Sequence, residues 1–142
     1  MIVDANVLLY AQDASSPHHE PCRAWLESSL NGPVRIGLPW PVLLAFIRIR
    51  THPRAYEVPL GIADAWGHVQ DWLAAPAAWI AVPTDRHSDV LGDLLVRHHL
   101  SANHVPDAHL AALAIEHGVG ICSADTDFAR FTELRWLNPL AR

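Results

Sequence analysis

The chain has 142 residues, 51% of them apolar and 18% charged, a composition that buries a core and excludes a disordered segment. Fifteen Asp and Glu against ten basic residues give a net charge of −5, which excludes coating of nucleic acid through bulk positive charge. All ten basic residues are arginine, so P-loop nucleotide hydrolysis, Schiff-base chemistry and receiver-type phosphoryl signalling lack the lysine they need.

In chain order, residues 1–4 read as a short buried strand ending on a carboxylate, with a helical turn beginning near Val7 and a loop over Asp13 to Pro17. Pro21 to Leu30 has helical spacing and stops at Asn31-Gly32-Pro33. Residues 34–38 read as a second strand, and Val42 to Ile49 as a helix broken by Thr51-His52-Pro53-Arg54. Leu60 to Leu73 is amphipathic. Trp79 to Val82 reads as a third strand, and Thr84 to Leu100 as a helix capped by Thr84 or Asp85. Val105-Pro106-Asp107 opens a helix running to His117, with Leu110, Leu113 and Ala114 on its apolar side and Gly118 ending it. Val119 to Cys122 is a fourth strand, Asp127 to Phe131 a helical turn, and Arg135 to Leu137 a last strand. Strands alternating with helices predict one α/β sandwich over residues 1–142, with a short parallel sheet of four or five strands covered on both faces.

No run approaches the roughly 18 apolar residues of a membrane span. Asp4 stands where a signal peptide would carry positive charge, and Cys22 and Cys122 form no CxxC pattern, so a cytoplasmic protein is expected.

Ligands of open α/β sheets bind beyond the carboxyl ends of the strands. Asp4 follows the first strand, Asp125 and Asp127 follow the fourth, and Asp107 lies in the first turn of its helix. Singly, Asp107 reads as a helix-cap acid and Asp125 and Asp127 as turn residues. Asp4 resists such a reading, because a carboxylate between Ile2-Val3 and Val7-Leu8-Leu9 needs compensation. Buried like charges repel unless a cation sits between them, and one divalent metal accounts for all four acids. Oxygen ligation favours Mg²⁺ or Mn²⁺ over zinc, with Asn6 and Ser123 orienting carboxylates or waters.

Met1-Ile-Val-Asp-Ala-Asn-Val-Leu-Leu-Tyr10, Pro106-Asp-Ala-His-Leu-Ala-Ala-Leu-Ala-Ile115 and Cys122-Ser-Ala-Asp-Thr-Asp-Phe128 resemble the acidic motifs of PIN domains. More narrowly the chain resembles the VapC toxins of bacterial type II toxin–antitoxin pairs over essentially its whole length, and Pro41 to Arg54 resembles one branch of them. The resemblance implies a metal-dependent endoribonuclease acting on structured or translation-related RNA. It also implies a homodimer, inactivation by a cognate VapB-like antitoxin, and a central parallel sheet. Asp4, Asp107 and Asp125 match the family's metal-binding, catalytic acids, and Asp127 matches the further acid before the aromatic Phe128. Many members carry a glutamate roughly where Ala45 stands, whereas no acid lies between Glu27 and Glu57 here. One expected ligand or water anchor is therefore absent.

Arg48, Arg50 and Arg54 read either as phosphate contacts beside the acids or as partners of surface carboxylates. His104 and His109 flank Asp107, but no HxxxH or Cys/His spacing appears, and the histidines read mostly as solvated groups. Trp25, Trp66 and Trp72 read as core or dimer packing, Trp40 as an interface residue, and Trp66 with Trp72 as candidates for an antitoxin groove. The leading expectation is hydrolysis of RNA phosphodiesters that inhibits translation and growth. The alternative is a catalytically weakened PIN-fold binding module acting through a protein partner. An aspartyl phosphatase is disfavoured, because Asn6 stands where that chemistry needs a second Asp.

Overall fold

In the computed structural model, which describes residues 1–141, Asp4 and Ser123 follow two neighbouring parallel strands, and the fold is the frame that brings them there. Arg142, the last residue of the expected 1–142 domain, lies outside the described residues. Among the described residues, β1 (Ile2–Val3), β2 (Ile36–Gly37), β3 (Ala78–Trp79), β4 (Ile121–Cys122) and β5 (Trp136–Leu137) form one parallel sheet in the order β3-β2-β1-β4-β5. The chain steps from β1 outward to β2 and β3, then returns to place β4 on the other side of β1, and the crevice beyond β1 and β4 is thus the switch point where ligands bind in such sheets. The strands are brief because each is bounded by a residue that leaves the ladder. Pro39, for instance, has no N–H and stands just past Leu38, the last residue to bond across to β3.

The helices are α1 (Ala5–Gln12), α2 (His19–Leu30), α3 (Trp40–Arg50), α4 (Ile62–Ala74), α5 (His87–Arg97) and α6 (Val105–Glu116). The third strand sits at Ala78–Trp79 instead of the expected Trp79 to Val82. Its partner β2 ends where Leu38 N–H donates to the Trp79 carbonyl (2.7 Å), so nothing remains for residues 80–82 to pair with. Helix α5 is shorter than the expected Thr84 to Leu100, and neither Thr84 nor Asp85 is its N-cap. The Thr84 hydroxyl accepts from Arg86 N–H and donates to the buried Glu116 instead.

Helix α6 is the axis of the fold. Ala108 and Leu110 to Ala114 are all buried, so the helix is covered on every side where periodicity alone predicted one apolar stripe. Its alanines give it the narrow girth that lets it lie against α5, β1 and β4 together. Gly118, at φ +66°, ends it in the left-handed conformation that glycine adopts without strain. Gly37 serves by having no side chain, since a Cβ there would stand 2.6 Å from Ile2 Cδ1 in the neighbouring strand.

At the far end of α3, Arg50 turns inward. It is 8% exposed, donates to Gln12 Oε1 (2.5 Å) and the Val58 carbonyl (3.0 Å), and lies 4.1 Å over the Tyr56 ring. The expectation that Arg50 grips a phosphate is therefore corrected: its guanidinium ties α1 to the loop after α3, and Arg48 and Arg54 are the exposed members of that group. Replacing Arg50 by Ala is expected to lower unfolding free energy by about 2–3 kcal/mol, the scale of lost hydrogen bonds to a charged group, measured by urea denaturation.

Candidate metal centre

Asp4 is fixed by the local chemistry of the β1–α1 junction. As N-cap of α1 it accepts from Ala5 N–H through Oδ1 (2.7 Å). Its Oδ2 accepts from the Ser123 hydroxyl (2.7 Å) and from Asn6 Nδ2 (3.2 Å). Ser123 is fully buried just after β4, and its Oγ accepts in turn from Asp125 N–H (3.0 Å). Asn6 Oδ1 accepts from Ala124 N–H (3.1 Å). The Asn6–Ser123 pair thus staples the ends of β1 and β4 around the Asp4 carboxylate. Asp125 caps the 3-10 turn Thr126–Arg130 by accepting from Asp127 N–H (2.8 Å).

Asp107 arrives from the other side, in the first turn of α6. Among the described residues none donates a hydrogen bond to its carboxylate, and α6 has no side-chain cap. Hydrogen-bonded capping therefore does not account for it. Asp4 and Asp107 line one cleft of about 260 Å³ with Ala5, Pro41, Val42, Ala45, Pro106, His109 and Leu110. Asp125 and Asp127 stand on its β4 side and do not line it. The methyl of Ala45 occupies the α3 wall, where the resemblance leads one to expect a glutamate.

The electrostatics follow from this crowding. Burial pushes the Asp4 carboxyl above its ordinary value against the hydrogen bonds from Ser123 and Ala5, and the Asp125 charge adds to the rise. Asp107 is pushed up to about 6, first by burial and then by the charges of Asp4 and Asp125, with His104 opposing. Acids raised in this way are those that a bound cation would stabilise in their charged form.

His104 is the residue that sequence reasoning passed over. It ends the 3-10 turn Ala102–His104 and runs directly into α6. Its Nδ1 lies 3.6 Å from Asp127 Oδ2 and 3.8 Å from Asp107 Oδ2, and the three side chains offer donor atoms all within 4.8 Å of one another. A helical i, i+3 relation to Asp107 was the signal available, since such residues share a face. The donors present, carboxylate oxygens with one imidazole nitrogen, fit a divalent cation.

A second polar chain enters the cleft from behind. Glu116, buried in the last turn of α6, accepts from Thr84 N–H (2.9 Å) and the Thr84 hydroxyl (2.7 Å) through Oε1, and meets His87 Nδ1 (2.5 Å) through Oε2. His87 Nε2 lies 3.1 Å from Nδ1 of His109, whose ring lines the cleft. Burial alone would raise Glu116, but the bonds from His87 and Thr84 outweigh it and hold the carboxyl below its ordinary range. Arg48 and Arg54 border a separate shallow hollow with Ile49, His52 and Ala55. No residue is common to that hollow and the acidic cleft.

Trp72 packs edge-on against Phe46 with ring centres 4.7 Å apart, while Trp66 is exposed and stacks on Trp40 at 6.4 Å. Trp66 thus pairs with Trp40, whereas Trp72 packs on Phe46 against the core. The two meet where α3 starts beside α4.

The parallel sheet with this strand order places Asp4 and Asp107 beside its switch point, where open α/β sheets bind their ligands. The PIN-domain family model matches residues 1–134, and the chain belongs to the PIN-domain family. Ribonuclease VapC37 of Mycobacterium tuberculosis is 49% identical over 140 residues, covering 99% of this chain and 97% of the relative. Ribonuclease VapC33 of the same species is 41% identical over 140 residues, covering 99% and 98%. Within the family the chain thus stands among the VapC proteins. Among solved structures, M. tuberculosis VapC20, described as a sarcin-ricin loop cleaving toxin, aligns at a TM-score of 0.68 with 17% identity over 92% of this chain and 94% of that one. VapBC2 of Rickettsia felis bound to a promoter DNA fragment aligns at 0.70 with 16% identity, over 96% of each. These two share the fold.

Because the Glu116 carboxyl is held down, its bonds stabilise the native state above the ordinary glutamate pKa, about 4.3, and that support fades as pH falls below it. Glu116→Gln is accordingly expected to lose about 1–3 kcal/mol at pH 7. The gap to the native protein should close as pH drops below about 4, followed by thermal unfolding across pH.

Proposed function

We propose that this chain is a Mg²⁺-dependent endoribonuclease, with Mn²⁺ able to substitute, and the toxin of a type II toxin–antitoxin pair. One PIN-like unit spanning residues 1–142 acts as a homodimer in the cytoplasm and is silenced by a VapB-like antitoxin. The observation that carries the reading is the meeting of Asp4 and Asp107 in one cleft, from segments a hundred residues apart, with both carboxyls raised and no hydrogen bond on Asp107. The names of the full-length relatives support RNA as substrate, and the description of VapC20 supports a structured RNA. Among the described residues no helix is long and apolar enough to cross a membrane.

In this reading Asp4, Asp107, Asp125 and Asp127 hold the cation, directly or through water. When bound, a hard divalent cation neutralises phosphate charge and makes a water more acidic. Asp107, without a hydrogen-bonded partner of its own, orients the attacking water in line with the leaving oxygen. Asp4 is too firmly held by Ser123, Asn6 and Ala5 to move, and serves as the fixed anchor. Attack at phosphorus breaks the P–O3′ bond and leaves a 5′-phosphate and a 3′-hydroxyl. Asn6 and Ser123 keep the carboxylates in place. Exposed Arg48 and Arg54 take the RNA backbone at a distance from the scissile bond.

Incubation of total RNA with Mg²⁺ or Mn²⁺, with cleavage ends mapped by sequencing, tests this. Cleavage is expected to stop with chelator. It should fall by more than about 100-fold in Asp4→Ala or Asp107→Asn, beyond the loss that outer partners alone produce. Expression without antitoxin should arrest growth, and the Asp4→Ala form should not. Cleavage that survives chelation or either substitution contradicts the proposal. Absent cleavage with intact partner binding would instead establish the binding-module alternative.

A further inference from the structure

We propose that His104 is a nitrogen ligand of the metal centre, beside Asp107 and Asp127. This rests on the PIN-nuclease reading and concerns which atoms complete the ligand set. On the α3 wall of the cleft, position 45 offers only a methyl. At the start of α6, His104 Nδ1 faces Asp127 at 3.6 Å and Asp107 at 3.8 Å. Both separations exceed a hydrogen bond, so the ring is aimed at two carboxylates without bonding to either. Donors that share an ion at about 2.1 Å stand about 3.0 Å apart when adjacent and about 4.2 Å apart when opposed. The His104 separations fall between those limits. Only small side-chain rotations are then needed to close all three donors on one cation.

The chemistry has a consequence for metal choice. Replacing an oxygen donor with imidazole favours divalent first-row transition metals, Mn²⁺ included, over the harder Mg²⁺. The centre therefore binds Mn²⁺ with a larger advantage over Mg²⁺ than an all-carboxylate set would give. His104 is only partly buried, with its side chain 37% exposed, so its truncation leaves the core untouched.

The test uses Mn²⁺ on the full chain without RNA. Pulsed electron paramagnetic resonance of the Mn²⁺ complex is expected to show coupling to an imidazole nitrogen, and His104→Ala to abolish it. By calorimetry, His104→Ala should weaken Mn²⁺ binding about tenfold or more and Mg²⁺ binding by less. His104→Gln, which restores an oxygen donor, should lower the ratio of Mn²⁺ to Mg²⁺ affinity. A nitrogen signal that persists in His104→Ala, or Mn²⁺ affinity unchanged by it, overturns the role of His104. If Asp107→Asn still weakens Mn²⁺ in that case, the nuclease reading stands. A chain that binds Mn²⁺ no differently after Asp107→Asn overturns both.

Discussion

Burial of two carboxylates, Asp4 and Asp107, in the lining of one cleft is the constraint on which the rest of the molecule depends. Burial is the first cause of the rise in both carboxyls, with the Asp125 charge adding at Asp4 and the Asp4 and Asp125 charges adding at Asp107. The chain resists separation with structure on either side. The Asn6–Ser123 staple pins Asp4 to the end of β4, and the buried helix α6 cannot withdraw Asp107 without uncovering its alanine-rich body. In the proposed reading, a bound cation would stabilise the charged form of both acids.

The sheet explains why short strands suffice. Each contributes only two paired residues, and the strands next to the switch point, β1 and β4, are wholly buried. Their task is to deliver the residue that follows, Asp4 in one case and Ser123 in the other. At the far end of α6, Glu116 performs a related service through His87, fixing one nitrogen of the His109 ring at the cleft wall. The outer helices α3 and α4 add the exposed Trp40–Trp66 pair.

Much of this was legible before any coordinates. Asp4 stands out in the sequence as an acid between apolar runs, but the expectation that it is no cap residue is corrected, since it caps α1 as well as meeting Ser123 and Asn6. The alternation of elements sets the parallel sheet. Gly118 announced the end of α6 through its freedom at positive φ. Other features depend on contacts across the fold that no local pattern carries. Arg50 looked like its neighbours Arg48 and Arg54, and only the approach of Gln12 from α1 turns it inward. His104 belongs to no ligand spacing, because its second neighbour, Asp127, comes from a turn after β4. The burial of α6 on all sides was equally hidden, since an alanine-rich helix shows little periodic contrast.

The most direct test of the account is a crystal structure grown with Mn²⁺, with data collected at a wavelength where manganese scatters anomalously. Convergence of the acids on one cation predicts an anomalous peak between Asp107 and Asp4, within bonding reach of Asp107 either directly or through one water. A cleft with no anomalous peak at saturating Mn²⁺, or a peak bound only by surface acids elsewhere, would contradict it.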